Sequence, residues 1–284
     1  MNLPIRINEV IEYIDVNLKN EIDYSELSKI AYLSEYHFSR VFVAVMDISI
    51  SEYIRRRRLS VAAFELVNSD IKIVDLAVKY CYDSADSFSR AFQKFHGVRP
   101  SQARVNGTNL KTFPKLAIQI HVKGGVAMEY RIENLDFGFG IVGLKSCVDT
   151  SKAFEIVPKL WSEAERSGLL KQLIDMSWEE PQCKLESILG ISGETSTIES
   201  EDFEYMMGVR YNNSIPDGMD VINIPKCTWA VFPNTDIRVW KRIYTEWLPT
   251  SGYNLADIPV IECFYPPGHI PEKEIWVPVT NESK

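Results

Sequence analysis

The sequence predicts an all-α domain built from two helix-turn-helix units, followed by an α+β domain rich in antiparallel strands with a duplicated β-α-β-β layout. Three observations carry this. The segment Phe38-Ser39-Arg40-Val41-Phe42 returns at Phe88-Ser89-Arg90-Ala91-Phe92. The apolar period changes from 3.6 to 2 after Gly107. The charge divides at the same place: residues 1–107 hold 14 Lys+Arg and 14 Asp+Glu, while residues 108–284 hold 17 and 25, so the net charge of −8 lies entirely in the second part. Two parts with different electrostatic tasks follow: residues 1–107, a linker and hairpin start at 108–124, and residues 125–284.

In the first part, Asn8–Leu18 forms an amphipathic opening helix, with Val10, Ile11, Ile14 and Leu18 on one side. In the repeated segment the apolar positions run i, i+3, i+4, i+7: Phe38, Val41, Phe42, Val45, then Phe88, Ala91, Phe92, Phe95. That is one buried helix face. The opposite faces differ, with Tyr36, Ser39, Arg40 and Val43 in one copy and Asp86, Ser89, Arg90 and Gln93 in the other. A short helix precedes each copy, Ser25–Ala31 and Val74–Tyr80, and Ser34 and Ser84 are placed to cap the helices that follow. Between the copies, Ser51–Leu66 forms one longer helix that would hold both units rigidly.

At these residues the chain resembles the AraC/XylS family of bacterial transcription regulators. The resemblance spans about residues 8–104 and is carried by the run Ser84 to Ser101 and by the linker-helix segment Tyr53-Ile54-Arg55-Arg56-Arg57-Arg58-Leu59. Two departures stand out. Cys81-Tyr82 replaces the family's usual Gly-Phe, and Asp47 and Ile50 stand where the second copy has Gly97 and Pro100. The resemblance implies a double-stranded DNA partner, with the two reading helices in successive major grooves. Arg40 and Arg90 can each donate two parallel hydrogen bonds to guanine. Tyr36 and Ser39 would share the first groove with Arg40, and Ala85, Asp86 and Ser89 the second with Arg90. The four arginines Arg55–Arg58 point about 100° apart around a helix and cannot all face one groove. One or two meet phosphates, Arg56 being our choice, and another pairs internally, with Asp75 or Glu65 as the candidates. His37 reads as a packing or helix-end residue.

Composition removes other classes. With 45% apolar and 25% charged residues the chain is not disordered. Its 284 residues suit two domains. No apolar run reaches the roughly 18–20 residues of a membrane span, and the start from Met1 lacks a signal-peptide pattern. Five cysteines without a Cys-x-x-Cys pair and four scattered histidines give neither a disulfide framework nor a metal site, which suits a cytoplasmic location. There is no glycine-rich nucleotide loop and no nucleophile elbow, so neither cofactor nor catalytic residue is assigned.

In the second part, Leu116–Val122 and Val126–Ile132 flank Lys123-Gly124-Gly125 as a predicted hairpin. A strand at Phe139–Leu144 and a helix at Ala153–Ser167 follow, the helix having Phe154, Val157, Leu160 (or Trp161) and Ala164 on its apolar side. Strands are predicted at Leu185–Ser192, Phe203–Tyr211 and Thr228–Phe232, a helix at Val239–Leu248, and strands at Val260–Tyr265 and Ile275–Val279. Residues 125–280 resemble the GyrI-like effector-binding domain, through Met128–Ile132, Phe203–Val209, Trp229–Pro233, Trp247–Tyr253, Pro259–Tyr265 and Glu274–Val279. That resemblance implies an aromatic pocket holding one acidic residue and binding lipophilic, often cationic, small molecules. The residues agree: Glu262 lies between Val260 and Phe264 on one strand face, a carboxylate among apolar groups. An unpaired buried carboxylate is costly, and a cation would compensate it. Trp276, Tyr205, Trp161, Trp247 and Tyr130 are the candidate walls. The expected function is a ligand-responsive transcription regulator, not an enzyme, with RNA polymerase a possible further partner. A hydrolase and a protein-interaction module are the alternatives.

Overall fold

The structure, a computed structural model, describes residues 3–105, 107–118, 127–149, 153–177, 185, 187–195, 202–234 and 238–281. The chain sorts into two compact units. One contains residues 4–32 and 46–120. The other contains residues 1–3, 33–45 and 121–284, so the segment around the first repeat copy clusters with the C-terminal part of the chain.

The helical unit begins with α1 (Leu3–Val16), which starts earlier than the sequence suggests because Leu3 and Ile7 extend the stripe of Val10, Ile11 and Ile14. Helix α2 (Tyr24–Ala31) is capped by Asp23, whose carboxylate accepts from Ser25 N at 2.8 Å. Helix α3 (Glu35–Met46) belongs to the other unit. Helix α4 (Ile50–Val67) opens on Ser49, and α5 (Ile73–Lys79), α6 (Ala85–His96) and α7 (Pro100–Ala103) follow. Leu59, Ala62, Ala63 and Leu66 of α4, Leu76 and Ala77 of α5, Phe88 and Phe92 of α6 and Ala103 of α7 form one core with Tyr80. The N-cap of α6 is Ser84, accepting from Ser87 N at 3.1 Å, as its position suggested. His96 closes this core. Its Nδ1 accepts from Lys111 N and its Nε2 donates to the Leu59 carbonyl, both at 3.2 Å, which fixes the neutral tautomer.

Both departures from the family pattern carry left-handed backbone. Cys81 has φ 60° and Asp47 has φ 56°, where Gly97, matching Asp47 in the second copy, has φ 85°. Side chains occupy these turns at the modest strain of a non-glycine residue there.

The second unit is built on a sheet of nine antiparallel strands among the described residues: β1 (Arg131–Leu135), β2 (Phe139–Asp149), β3 (Ile188–Thr195), β4 (Asp202–Arg210), β5 (Asp220–Ile224), β6 (Cys227–Pro233), β7 (Tyr253–Leu255), β8 (Ile261–Phe264) and β9 (Lys273–Asn281). Helices α8 (Ala153–Ser167) and α9 (Leu169–Ser177) follow β2. The expected helix after β6 is three pieces: α10 (Arg238–Arg242), a π-helical turn at Ile243–Trp247, and α11 (Leu248–Ser251). The strand order is β1-β6-β9-β8-β3-β4-β2-β5, with β7 added beside β9. Read from both edges inward, it pairs β1 with β5, β6 with β2, β9 with β4 and β8 with β3. This is a duplicated β-α-β-β layout in which each half has one additional opening strand and the two opening strands are exchanged.

The predicted hairpin differs. Residues 116–118 and 127–130 are not strand, and 119–126 lie outside the described residues. Strand β1 pairs instead with distant β6, Ile132 opposite Ala230. Two cores lie on the two faces of the sheet. One holds Leu189, Ile191, Met206, Ile261, Cys263, Trp229 and Trp276. The other packs Val142, Tyr205, Met207 and Val209 against Ala164, Leu173 and Met176 of α8 and α9.

Candidate functional site

The site forms where β3 and β8 meet at the centre of the sheet. In β8 the residues alternate, Ile261 and Cys263 buried in one core, Glu262 and Phe264 turned to the other face. Glu262 stands opposite Gly190 of β3. A side chain at Gly190 would come 2.2 Å from the Tyr205 hydroxyl and 3.2 Å from Phe264, so the missing Cβ is what lets both rings gather beside the carboxylate. The Tyr205 hydroxyl accepts from Trp161 Nε1 at 3.0 Å, and the Trp161 and Phe264 rings lie 4.1 Å apart. Trp240 of α10 donates its indole N–H to Glu262. Lys273 Nζ lies 5.2 Å from the Phe264 centroid.

Electrostatics follow from this crowding. Desolvation pushes the Glu262 carboxyl up, although Arg40, Lys273 and the Trp240 hydrogen bond all favour its charged form. Burial also raises the Tyr205 phenol, and the charge of Glu262 adds to the rise. This is a carboxylate with aromatic neighbours and incomplete compensation.

Arg40 comes from α3, in the same unit. Its guanidinium carbon lies 4.4 Å from the Trp240 ring centroid. One turn earlier on the helix, His37 is buried and its Nε2 donates to the Ala256 carbonyl at 2.8 Å. Burial holds the His37 pKa down at about 4. Ser39 is half-buried, and the Tyr36 side chain lies outside the described residues.

The matching helix α6 presents a different surface. Asp86 and Arg90 are exposed and Ala85 and Ser89 are half-buried, above the buried Phe88 and Phe92. The arginine run on α4 is held internally. Arg55 and Arg56 both pair with Glu52, one turn back on the same helix. Arg57 pairs with Asp15 at 2.8 Å and donates to the Phe113 carbonyl, and Arg58 donates to the Leu18 and Asn20 carbonyls. The candidate partners Asp75 and Glu65 are corrected: Glu65 binds Lys79 and the Tyr80 hydroxyl. Arg56 stays partly exposed and lines a groove of about 370 Å³ with Lys94 and Lys111.

Two expected walls join the site, Tyr205 and Trp161. Trp276 does not, and this corrects its assignment. It pairs with Ile261 and Glu262 pairs with Ile275, so Trp276 projects from the opposite face, in the core against Trp229. Tyr130 and Trp247 form a separate cluster with Phe232, at 5.9 and 4.9 Å from its ring. Sequence reasoning missed Trp240, Gly190 and Phe264 as wall residues. Phe264 was legible from its i+2 spacing to Glu262. Trp240 was legible from the duplication, because α10 occupies the place in its half that α8, with Trp161, has in the other.

Residues 128–280 match the model of the GyrI-like small molecule binding domain. The chain belongs to that family. Residues 27–106 match a helix-turn-helix domain of AraC type. The HTH-type transcriptional activator AarP of Providencia stuartii is 34% identical over 102 residues, which are 36% of this chain and 76% of AarP. The probable transcription factor PqrA of Proteus vulgaris is 30% identical over 117 residues, 40% of this chain and 96% of PqrA. A solved structure, SAV2435 bound to tetraphenylphosphonium, is similar at 21% identity with a TM-score of 0.44, covering 54% of this chain and 94% of that chain. This GyrI-like protein is a DNA-binding transcriptional regulator with a small-molecule binding domain. Among the described residues no helix is long and apolar enough to cross a membrane, and no group of three or more His, Cys, Asp or Glu residues could hold a metal ion.

Proposed function

We propose that the small molecule this regulator senses is a lipophilic cation and that it binds at Glu262 among Tyr205, Trp161, Phe264 and Trp240. The observation that carries the reading is the desolvated carboxylate with aromatic groups around it. A neutral lipophile would gain from burial alone, whereas a cation gains from burial and from the carboxylate. Each ring face adds about 0.5–2 kcal/mol to a cation's affinity. The same reading assigns sequence recognition to Ser39 and Arg40 on α3, with Tyr36 beside them, and to Ala85, Asp86, Ser89 and Arg90 on α6, with Arg56 at the phosphates. The domain's part in this reading is to bind, as the small molecule binding domain model it matches describes.

Titrating tetraphenylphosphonium and neutral triphenylphosphine oxide into wild type and Glu262→Gln tests the reading. The cation should bind more tightly than the neutral compound to wild type, and Glu262→Gln should remove most of that preference. Equal losses for both compounds would make Glu262 a structural residue.

A further inference from the structure

We propose that Arg40 is the site's own built-in cation, which an effector displaces from beside Glu262 and so releases to a DNA base. This rests on the reading of Glu262 as a cation site. The geometry is direct. The Arg40 guanidinium lies 4.4 Å over the Trp240 ring, and the same indole donates its N–H to Glu262. A planar cation on an aromatic face beside a carboxylate is the arrangement proposed for the effector, supplied here from within the chain.

The helix carrying Arg40 is fixed in that place. His37 and Arg40, three residues apart, lie on one face of α3, and buried His37 donates to the Ala256 carbonyl at 2.8 Å. In the second repeat copy the corresponding positions are Ser87 and Arg90, and Arg90 is exposed. The repeat is therefore asymmetric in a specific way: one copy bears a histidine that anchors its helix and an arginine that is half-buried against Trp240, the other has neither feature. A guanidinium that turns to guanine O6 and N7 would leave the neighbourhood of Glu262, so the side chain serves either the site or the base. Binding of an external cation at Glu262 removes the electrostatic reason for Arg40 to stay, and frees that side chain to read.

Linkage makes the two sides measurable. If the site is open in about one molecule in ten, the apparent affinity for a cation is about tenfold below its intrinsic value. Coupling must be reciprocal, so a saturating cation raises DNA affinity by as much as DNA raises cation affinity.

The test uses the full chain, tetraphenylphosphonium, and a duplex selected from a random pool by the wild-type protein. Arg40→Ala should tighten tetraphenylphosphonium binding about tenfold. For wild type, saturating tetraphenylphosphonium should tighten DNA binding severalfold, and Glu262→Gln should tighten DNA binding without any ligand, because it releases Arg40 while leaving that residue intact. Equal cation affinity in wild type and Arg40→Ala overturns the proposal while leaving the cation site standing. Wild-type DNA affinity unmoved by bound cation, or by Glu262→Gln, also overturns it. Failure of both wild type and Arg40→Ala to bind the cation defeats the site reading itself, and this proposal with it.

Discussion

Replacing Gly190 by alanine isolates the packing that assembles the site. The added Cβ would sit 2.2 Å from the Tyr205 hydroxyl, 3.0 Å from Tyr205 Cζ and 3.2 Å from Phe264 Cε2. The ring must move, and overpacking of this kind costs about 1–3 kcal/mol. Moving it also breaks the hydrogen bond from Trp161, worth about 0.5–1.5 kcal/mol. The backbone entropy gained by replacing glycine returns about 0.4–1 kcal/mol. The net expectation is a loss of about 1–3 kcal/mol, measured by urea unfolding with tryptophan fluorescence as the signal. The decisive comparison is made in Tyr205→Phe, where the atom at 2.2 Å is gone. There Gly190→Ala should cost clearly less than in wild type, and the difference is the coupling between the two positions, about 0.5–3 kcal/mol for groups in contact. Additive effects, or Gly190→Ala as stable as wild type, would refute the idea that the glycine exists to seat the tyrosine.

Three further outcomes are expected. Arg90→Ala should lose about 1–3 kcal/mol on the selected duplex and spare non-specific binding; equal weakening on all sequences in a competition assay would make Arg90 a phosphate contact. Phe92 is fully buried, 5.6 Å from the Phe88 ring and 4.2 Å from the His96 ring, so Phe92→Ala should lower stability by about 3–5 kcal/mol in thermal or urea unfolding, and an unchanged midpoint would contradict the core assignment. Stability should also fall in acid. Burial holds the pKa of His37 down at about 4, where Arg40 also lowers it while Asp257 and the Ala256 and Ile258 carbonyls oppose, and burial lowers that of His96, next to Lys111. The unfolded chain takes up these protons near pH 6.5, so this contribution is complete above about pH 6.5 and is lost as the pH falls towards 4. Urea midpoints at pH 7.5, 6 and 5 should decline in order, and less steeply in His37→Gln.

How much of this was legible depends on which forces act locally. Helix α8 coincides with the predicted Ala153–Ser167, and the predicted cap at Ser84 lies beside the helix it starts, because periodicity and capping are local signals. Glu262 and Phe264 share a face by spacing alone. Trp276 was misplaced because its face depends on register: Glu262 opposite Ile275 puts Trp276 on the far side, and a slip by one residue would have reversed it. The arginine run shows the same limit in reverse. Distant acids were named as partners, while Glu52, three and four residues away on the same helix, took two of the four. The position of α3 beside Trp240 has no local signal, except that His37 differs in kind from its counterpart Ser87.

The exchange of opening strands has a consequence for how the chain is made. Strand β1 is held by β6, and β2 is flanked by β5, so each half of the duplication is stitched to the other by hydrogen bonds across most of the domain's length. Strand β9 lies inside the sheet, between β6 and β8, and ends at Asn281. During synthesis, therefore, β1, β6 and β8 emerge from the ribosome before the strand that joins them. The nascent domain waits with open edges, which are surfaces that invite pairing with other chains. Synthesis that stops short of β9 leaves β1-β6 and β8-β3-β4-β2-β5 unjoined, and β7 without the strand it pairs with. The continuous sheet thus arises only when β9 has been inserted.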